Sequence, residues 1–413
     1  MYTRILCLLI VMFSPSLFPS YSFAQLLPLF GPTKYERTTG APNVFNDSFP
    51  ACNTGATYKL IIENGEAGKD RISSGAISLN GQEIVRQNYF SQKIEKIEKT
   101  VSLQTENTLT IKLASGPGGF IRVSVYCVTN CLEVKITTPV TQTIVNKAKT
   151  IIKGDLYNAF SETGVVLNSP GPLGDASALA QTQGTRFAGI MPLQQGQNII
   201  TATATDACGY KTTDTVTVNT QTLDEKIRLT ANPESGIPTL NVTLEGEAYL
   251  PTAISGYSWD TNGDGTPDQT GPNLTKVTAQ YQTPGLYFPK VTITDTAGNI
   301  YSETAIVNVL SREEMDVFLK GKWDGMKEAS ARGYIQGAMR YFALSSMTAY
   351  QQQFTALSNT VPQIVADMGT ITMVTVKNNF AEYDLRTVRN GTTYSFQVLF
   401  LRDVDGIWRI KSF

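Results

Sequence analysis

Short runs of alternating apolar and polar residues, each ended by a Gly, Asn or Asp turn, recur along most of this chain. They confine it to antiparallel β-structure, because side chains that alternate faces suit a sheet with one buried side. Tyr58–Glu63, Gly75–Leu79, Thr108–Leu113 and Phe120–Val125 are the first such runs, separated by Asn64-Gly65, Asn80-Gly81 and Gly116-Pro-Gly-Gly119. The last two runs straddle the glycine loop and are expected to form a hairpin. Residues 25–50, rich in Pro, Gly, Thr and Asn, show no such alternation and read as an extended lead-in.

The theme repeats further on. Leu132–Ile136, Thr150–Gly154, Phe187–Leu193, Ile199–Ala204 and Thr212–Val218 form a second set of runs, with a turn at Asp206-Ala-Cys-Gly209. Thr294-Asp-Thr-Ala-Gly298 answers Thr205-Asp-Ala-Cys-Gly209 at an offset of 89 residues. That spacing suits one sandwich of roughly 100 residues per repeat.

At Ser311 the grammar changes. Ser311-Arg-Glu-Glu314 is a capping-box pattern, and Met315, Phe318, Leu319, Trp323 and Met326 recur at helical steps before Gly333. Shorter helices are expected over 335–345, 347–357 and 361–368. Strands follow over Ile371–Val376, Phe380–Val388, Tyr394–Leu401 and Ile407–Phe413, with turns at Asn390-Gly391 and Asp405-Gly406. Helices followed by a meander of strands predict an α+β domain. The expected fold class is mainly β: tandem immunoglobulin-like β-sandwiches followed by a C-terminal α+β cone domain. The expected divisions are a signal peptide (1–24), the lead-in (25–50), a β-sandwich (51–130), two further sandwiches (131–222 and 223–310) and the α+β domain (311–413).

Charge narrows the function. Lys and Arg number 34 against 35 Asp and Glu, so nothing favours a nucleic-acid or polybasic membrane surface. The chain has no histidine, which removes imidazole acid–base catalysis, Ser–His and Cys–His nucleophiles and His-ligated metals.

The N-terminus reads as an export signal. Arg4 precedes the apolar run Ile5–Phe13, and Ser22-Phe-Ala24 places small residues before Gln25. Nine apolar residues fall short of the about 20 that span a bilayer, and no later stretch reaches that length. Cleavage leaves Cys52, Cys127, Cys131 and Cys208, an even number that predicts two disulfides in an oxidising compartment. Three pairings are possible. Cys52–Cys127 with Cys131–Cys208 is the expected one, each bond closing one β-domain. The alternative Cys127–Cys131 bridge would force Cys52 onto Cys208 across two domains.

Three resemblances sharpen this reading. The segment ending in Phe187–Leu193, Gly196-Gln-Asn198 and Thr205–Gly209 resembles bacterial immunoglobulin-like repeats. Tyr257-Ser-Trp-Asp260, Gly263-Asp-Gly265, Tyr281–Tyr287 and Val291–Asp295, in that order, resemble the polycystic-kidney-disease (PKD) domain. The helices and meander ending in Asp405-Gly-Ile-Trp-Arg-Ile410 resemble the cone of nuclear-transport-factor-two-like proteins. The first two resemblances imply spacers, adhesive units or carbohydrate-associated accessories. The third implies either a non-catalytic scaffold or an isomerase or dehydratase.

The sharpest chemical signal is Asp260-Thr-Asn262-Gly-Asp264-Gly-Thr266-Pro-Asp268. Oxygen donors at alternate positions, with Gly265 in the turn, resemble the first half of an EF-hand loop and point to a structural Ca²⁺. The closing bidentate glutamate would fall at Gly271, so another ligand must come from elsewhere, Asp295 being the candidate. The competing reading is an exposed acidic turn. Trp259, Tyr281 and Tyr287 could form a sugar-stacking platform, though their strand spacing favours the core. In the cone, Asp367, Glu382, Tyr383, Asp384 and Tyr394 are the groups available for acid–base work. Glu382, Asp384 and Arg386 share one strand face and are expected at the surface. The run Lys93–Lys99 alternates in sign and reads as a solvated face. The chain is therefore expected to be a non-catalytic exported protein, periplasmic or at the cell surface. It would form a rod of immunoglobulin-like modules, a spacer or adhesion unit meeting protein or carbohydrate, with a C-terminal binding domain. An enzyme working in the cone is the alternative.

Overall fold

A computed structural model describes residues 27–389 and 391–413, so the expected signal peptide lies outside the described residues. The fold is mainly β, 52% strand and 12% helix, with the helices near the C-terminus.

The first sandwich packs two four-stranded sheets. One runs Phe30–Glu36, Phe120–Thr129, Thr57–Asn64, Lys96–Val101; the other runs Asn43–Pro50, Glu106–Leu113, Gly75–Leu79, Gln82–Val85. Leu60, Ile62, Ile77, Leu109, Ile111 and Val123 meet between them, all fully buried. The turn at Asn80-Gly81 has positive φ at both residues, 53° and 79°, the conformation a two-residue hairpin demands.

Two expectations fail here. The lead-in is not loose: Phe30–Glu36 and Asn43–Pro50 are strands, one added to each sheet, fixed by buried Tyr35 and Phe49. Nor does the loop Gly116–Gly119 make a hairpin. Glu106–Leu113 pairs with Asn43–Pro50 and Gly75–Leu79, whereas Phe120–Thr129 pairs with strands of the opposite sheet. The glycines let the chain cross from one layer to the other. In the run Lys93–Lys99, Ile97 points into the core while Lys96 and Glu98 pair outside at 2.7 Å.

The second sandwich sets a five-stranded sheet against a four-stranded one. The hairpin Gly196–Asp206/Lys211–Thr220 forms the spine of the first, in register from Gly196↔Thr220 to Thr205↔Lys211. In the third module, Ile227–Asn232, Leu240–Ala248 and Lys276–Tyr281 face a sheet of four strands, including Ile254–Asp260 and Lys290–Asp295, around fully buried Trp259.

The expected boundary at residue 310 does not divide the sheets. Gly285–Tyr287, Val307–Val309 and Ser235–Gly236 of the third module continue into Ile371–Lys377, Phe380–Arg389, Thr392–Arg402 and Trp408–Ser412 as one seven-stranded sheet. Asn378, with φ +54°, holds the seam: its side-chain oxygen accepts the Glu234 and Ser235 amides, and its own N–H donates to the Ser235 carbonyl. The hairpin turn over Asn390 lies outside the described residues at that position.

Helix α1 (Arg312–Ala331) starts where Ser311 Oγ accepts the Glu314 amide. It is followed by α2 (Ile335–Met339), α3 (Leu344–Ala356) and α4 (Val361–Asp367). The helices lie on the curved sheet and bury Leu319, Trp323, Met326, Phe342, Tyr383 and Phe400.

The disulfides are Cys52–Cys208 and Cys127–Cys131, with Cα separations of 5.5 and 5.8 Å. This overturns the pairing of one bond per domain. Asn130, at φ +56°, reverses the chain just after Cys127 and returns Cys131 beside it. The hairpin turn carrying Cys208 then meets Cys52 across the joint of the first two modules. A rod is also overturned. The C-terminal domain folds back onto all three sandwiches: Arg340 pairs with Glu106 of the first, Lys322 with Glu162 of the second, and Asn378 with Glu234 and Ser235 of the third.

Candidate functional site

The acidic loop is built as a succession of side-chain turns. Asp260 Oδ1 accepts the amides of Gly263 and Asp264 at 2.7 and 3.2 Å, and its Oδ2 accepts Gly265 at 2.8 Å. Asp264 accepts Thr266 N–H and Asn262 Nδ2, and these contacts hold its carboxyl below the usual range. Asp268 turns away, accepting the amide and hydroxyl of Thr261 at 2.6 Å each. The carboxylates thus serve as acceptors for the loop's own amides and do not converge. Among the described residues, no three acidic, Cys or His side chains gather around a common point. The loop closes on its own donors, with Thr266, exposed at the rim, lending its amide to Asp264.

Asp295 cannot complete the site. Strand register places Ile254 opposite Asp295 and Asp260 opposite Lys290, so the two aspartates lie at opposite ends of one sheet. Asp295 closes its own hairpin, accepting the amides of Ala297 and Asn299 and the hydroxyl of Thr252. Those bonds, the Thr252 hydroxyl foremost, pull its pKa down to about 2.

Of the aromatic candidates, Trp259 and Tyr281 are core and Tyr287 is half-buried against it. Trp259 is fully buried with Nε1 donating to the Leu274 carbonyl at 2.7 Å, and the Tyr281 and Tyr287 rings pack 4.7 Å apart beneath the acidic loop. Tyr281 donates its hydroxyl to the Thr261 carbonyl.

In the C-terminal domain the five candidate acid–base groups are scattered. Glu382 and Asp384 lie on the outer sheet face, accepting from Gln397 and from Ser395 and Arg386. Asp367 accepts from Gln363 on an exposed turn of α4, and Tyr394 is exposed beside Phe396. Only Tyr383 points inward, fully buried; desolvation, with Asp316 nearby, drives its hydroxyl far above the ordinary tyrosine range. The interior between helices and sheet is filled by rings in contact: Trp323 on Phe413 at 5.1 Å, Phe342 on Tyr350 at 4.3 Å, Tyr383 on Phe400 at 5.4 Å.

The group of residues that sequence reasoning missed lies where the second sandwich meets this domain. Glu162 precedes the strand Thr163–Ser169 and inserts into the C-terminal domain. Its Oε1 accepts the Trp408 amide at 2.6 Å, and Lys322 Nζ stands 2.7 Å from Oε2. Burial raises its pKa against the pull of Lys322. Arg402 reaches the opposite way. It donates to the Ala180 carbonyl at 2.6 Å and to Gln181 and Thr182 of the second module, and burial brings its guanidinium down to about 10. Gly164 and Gly406 let the two backbones touch: a Cβ on Gly164 would lie 2.2 Å from the Asp405 carbonyl oxygen. Arg409 is held by Asp405 through two 2.7 Å contacts. A cleft of about 470 Å³ opens beside Glu162, floored by Met315, Phe318 and Trp408. The one sequence trace of this interface is the positioning of Met315 and Phe318 on α1, half-buried on the side facing the cleft.

No family model and no curated protein matches the chain. Among solved structures it is similar to the fibronectin(III)-like modules of Clostridium thermocellum CbhA, with 13% identity over 44% of this chain and 95% of that one at a TM-score of 0.18. It is also similar to the amphioxus IgVJ-C2 molecule, with 12% identity over 40% of this chain and all of that one, TM-score 0.18. A third similar structure is the mouse coronavirus receptor-binding domain complexed with its murine receptor, with 11% identity over 44% of this chain and 100% of that chain, TM-score 0.18.

Proposed function

We propose that this chain is a non-catalytic exported scaffold whose three sandwiches support a docked C-terminal domain, presenting loops to a protein or carbohydrate partner at the cell surface. The observation that carries the reading is the aromatic packing inside the C-terminal domain, where rings occupy the space a cone enzyme keeps for substrate. In this reading the third module is PKD-like and the last domain nuclear-transport-factor-two-like, used for shape. Two disulfides and an N-terminal apolar run favour export, and no helix among the described residues is long and apolar enough to cross a membrane. Loops on a rigid β-scaffold are the usual seat of such binding.

The test is to express the chain with its N-terminal segment in a bacterial host and screen the purified protein for isomerase, dehydratase and glycosidase turnover. Recovery from the periplasm with blocked thiols and without turnover is expected. Turnover that Tyr383→Phe abolishes would move the assignment to an enzyme. For the acidic loop, self-satisfied turns favour closure without a cation. Chelator and added Ca²⁺ should then leave the melting temperature unchanged. A calcium-dependent rise that Asp264→Ala removes would instead make Asp260, Asn262, Asp264, Thr266 and Asp268 a structural Ca²⁺ site.

A further inference from the structure

The longest hairpin of the C-terminal domain outruns the sheet that carries it. Thr392–Arg402 pairs with Phe380–Arg389 on one side from Thr392 to Leu401. On its other side Trp408–Ser412 reaches only Leu399–Arg402. The seven residues Thr392–Val398 therefore have a bare edge: among the described residues, no strand or loop pairs with their backbone on that side. Thr392 to Gln397 are exposed as well.

A bare edge is a template for another strand, and proteins blunt such edges with charge, proline, bulges or short length. This chain does so elsewhere. Among the described residues, each strand that ends a sheet is four residues or shorter or carries a charged residue, as Lys34 does in Phe30–Glu36 and Arg409 in Trp408–Ser412. The stretch at Thr392–Val398 has none of these devices. From Gly391 to Leu401 there is no charge and no proline, and the register against Phe380–Arg389 has no bulge.

The edge is also complementary to itself. A two-fold axis at Ser395 sets Tyr394 opposite the partner's Phe396, Thr393 opposite the partner's Gln397, and Ser395 opposite its own copy. Alternation keeps Tyr394 and Phe396 on the face of buried Val398, with Thr393, Ser395 and Gln397 on the other. One register thus matches aromatic to aromatic on one face and hydrogen-bonding side chains on the other. The Tyr394 and Phe396 rings already stack at 6.4 Å while 45% exposed, and two copies would join them into a cluster of four. The length fits too. Gly391, at the turn, meets the partner's Leu399, where the partner's final strand already pairs, so the incoming strand fills the gap and displaces nothing.

We infer that a second copy of this chain adds to the edge at Thr392–Val398, antiparallel about a two-fold axis at Ser395, and joins the two seven-stranded sheets into one. The paired strands span about 24 Å, and an interface of that size is reversible.

The test is sedimentation velocity of the full chain over a series reaching high micromolar concentration, with amide exchange read on the same samples. A reversible dimer is expected, and alternate amides of 392–398 should exchange more slowly by about fivefold as it fills. Tyr394→Lys with Phe396→Lys sets lysine against lysine and should weaken association by about tenfold or more. Ser395→Cys should cross-link the dimer on mild oxidation, because opposed residues have Cβ atoms about 4.5–5.5 Å apart. Thr393→Cys, opposite the partner's Gln397, should not. The cysteines of the described fold are already bonded, so these two variants keep the test valid if the lysines disturb the hairpin. A monomer throughout the series would overturn the inference. So would a dimer that leaves exchange at 392–398 unchanged, one that withstands the two lysines, or equal cross-linking through Thr393→Cys and Ser395→Cys.

Discussion

The second and third sandwiches both hold the C-terminal domain, but by different means. The third is joined largely through main chain: strands from both run in one seven-stranded sheet, and at Ser235–Gly236 and Lys377 backbone pairs with backbone, with the Asn378 side-chain oxygen and the Ser235 hydroxyl adding to the seam. The second is joined through side chains, with Glu162 inserted one way, Arg402 the other, and Gly164 against Gly406 between them. Its other end is fastened to the first sandwich by Cys52–Cys208. Main-chain joints tolerate changes of side chain; side-chain joints depend on each residue. The second module is therefore where single substitutions should loosen the assembly.

The largest effect should come from the covalent joint. Cys52 and Cys208 are 156 residues apart, so removing their bond by Cys52→Ser with Cys208→Ser should cost about 5 kcal/mol of unfolding free energy on the loop-entropy estimate. Cys127→Ser with Cys131→Ser opens a separation of only four residues and should cost about 2 kcal/mol. Denaturant titration of the two double variants gives both values, and equal losses would contradict the long bond's role as the fastener.

Next in size is the non-covalent latch. Arg402→Ala leaves the Ala180 carbonyl without its charged donor and should cost about 3 kcal/mol, read as faster amide exchange across residues 180–182 and 402–408. Gly164→Ala, forced against the Asp405 carbonyl, should loosen the same amides by about 1–3 kcal/mol. Lys377→Ala in the main-chain seam, where the side chain is exposed, should stay within about 0.5 kcal/mol. If Lys377→Ala loosened the domain as much as Arg402→Ala, the distinction between the joints would fail.

The pH dependence compares two modules in another way. Asp206 and Asp295 close matching hairpins and accept amides at matching offsets. Yet burial lifts Asp206 to about 6, whereas Thr252 and Asn299 hold Asp295 at about 2. A raised carboxyl contributes stability below its unfolded pKa and loses it as pH rises through the folded one. Asp206 should therefore make the fold less stable between about pH 4 and pH 7 as pH increases. Asp295 has the opposite sign: its contribution is present above about pH 4 and is lost as pH falls toward 2. Asp206→Asn should flatten the first window and leave the second. Melting curves across pH for that variant check the assignment.

Local features were legible in the sequence. Asn80-Gly81 named its own turn, Ser311 its own helix cap, and the meander after Ile371 appeared close to its expected limits. The early strands were not legible, because Tyr35 and Phe49 are isolated among Pro, Gly and Asn, and composition hid the alternation. The crossover at Gly116–Gly119 was misread since a glycine loop serves a hairpin and a change of layer equally well. The disulfides depended on how modules meet. Glu162 was invisible for the same reason: its partners Lys322 and Trp408 lie far along the chain, and neighbours such as Ser161 and Thr163 carry no sign of them.

The docked arrangement is most directly tested by a spin-echo distance between labels on exposed Gln104, in the first sandwich, and exposed Gln336, on α2, four residues before Arg340. The native cysteines described in the fold are all disulfide-bonded, so new cysteines at these two sites would take the labels. A single narrow and short distance is predicted, as the Arg340–Glu106 pair requires. A broad distribution reaching the length of an extended string of modules would contradict it.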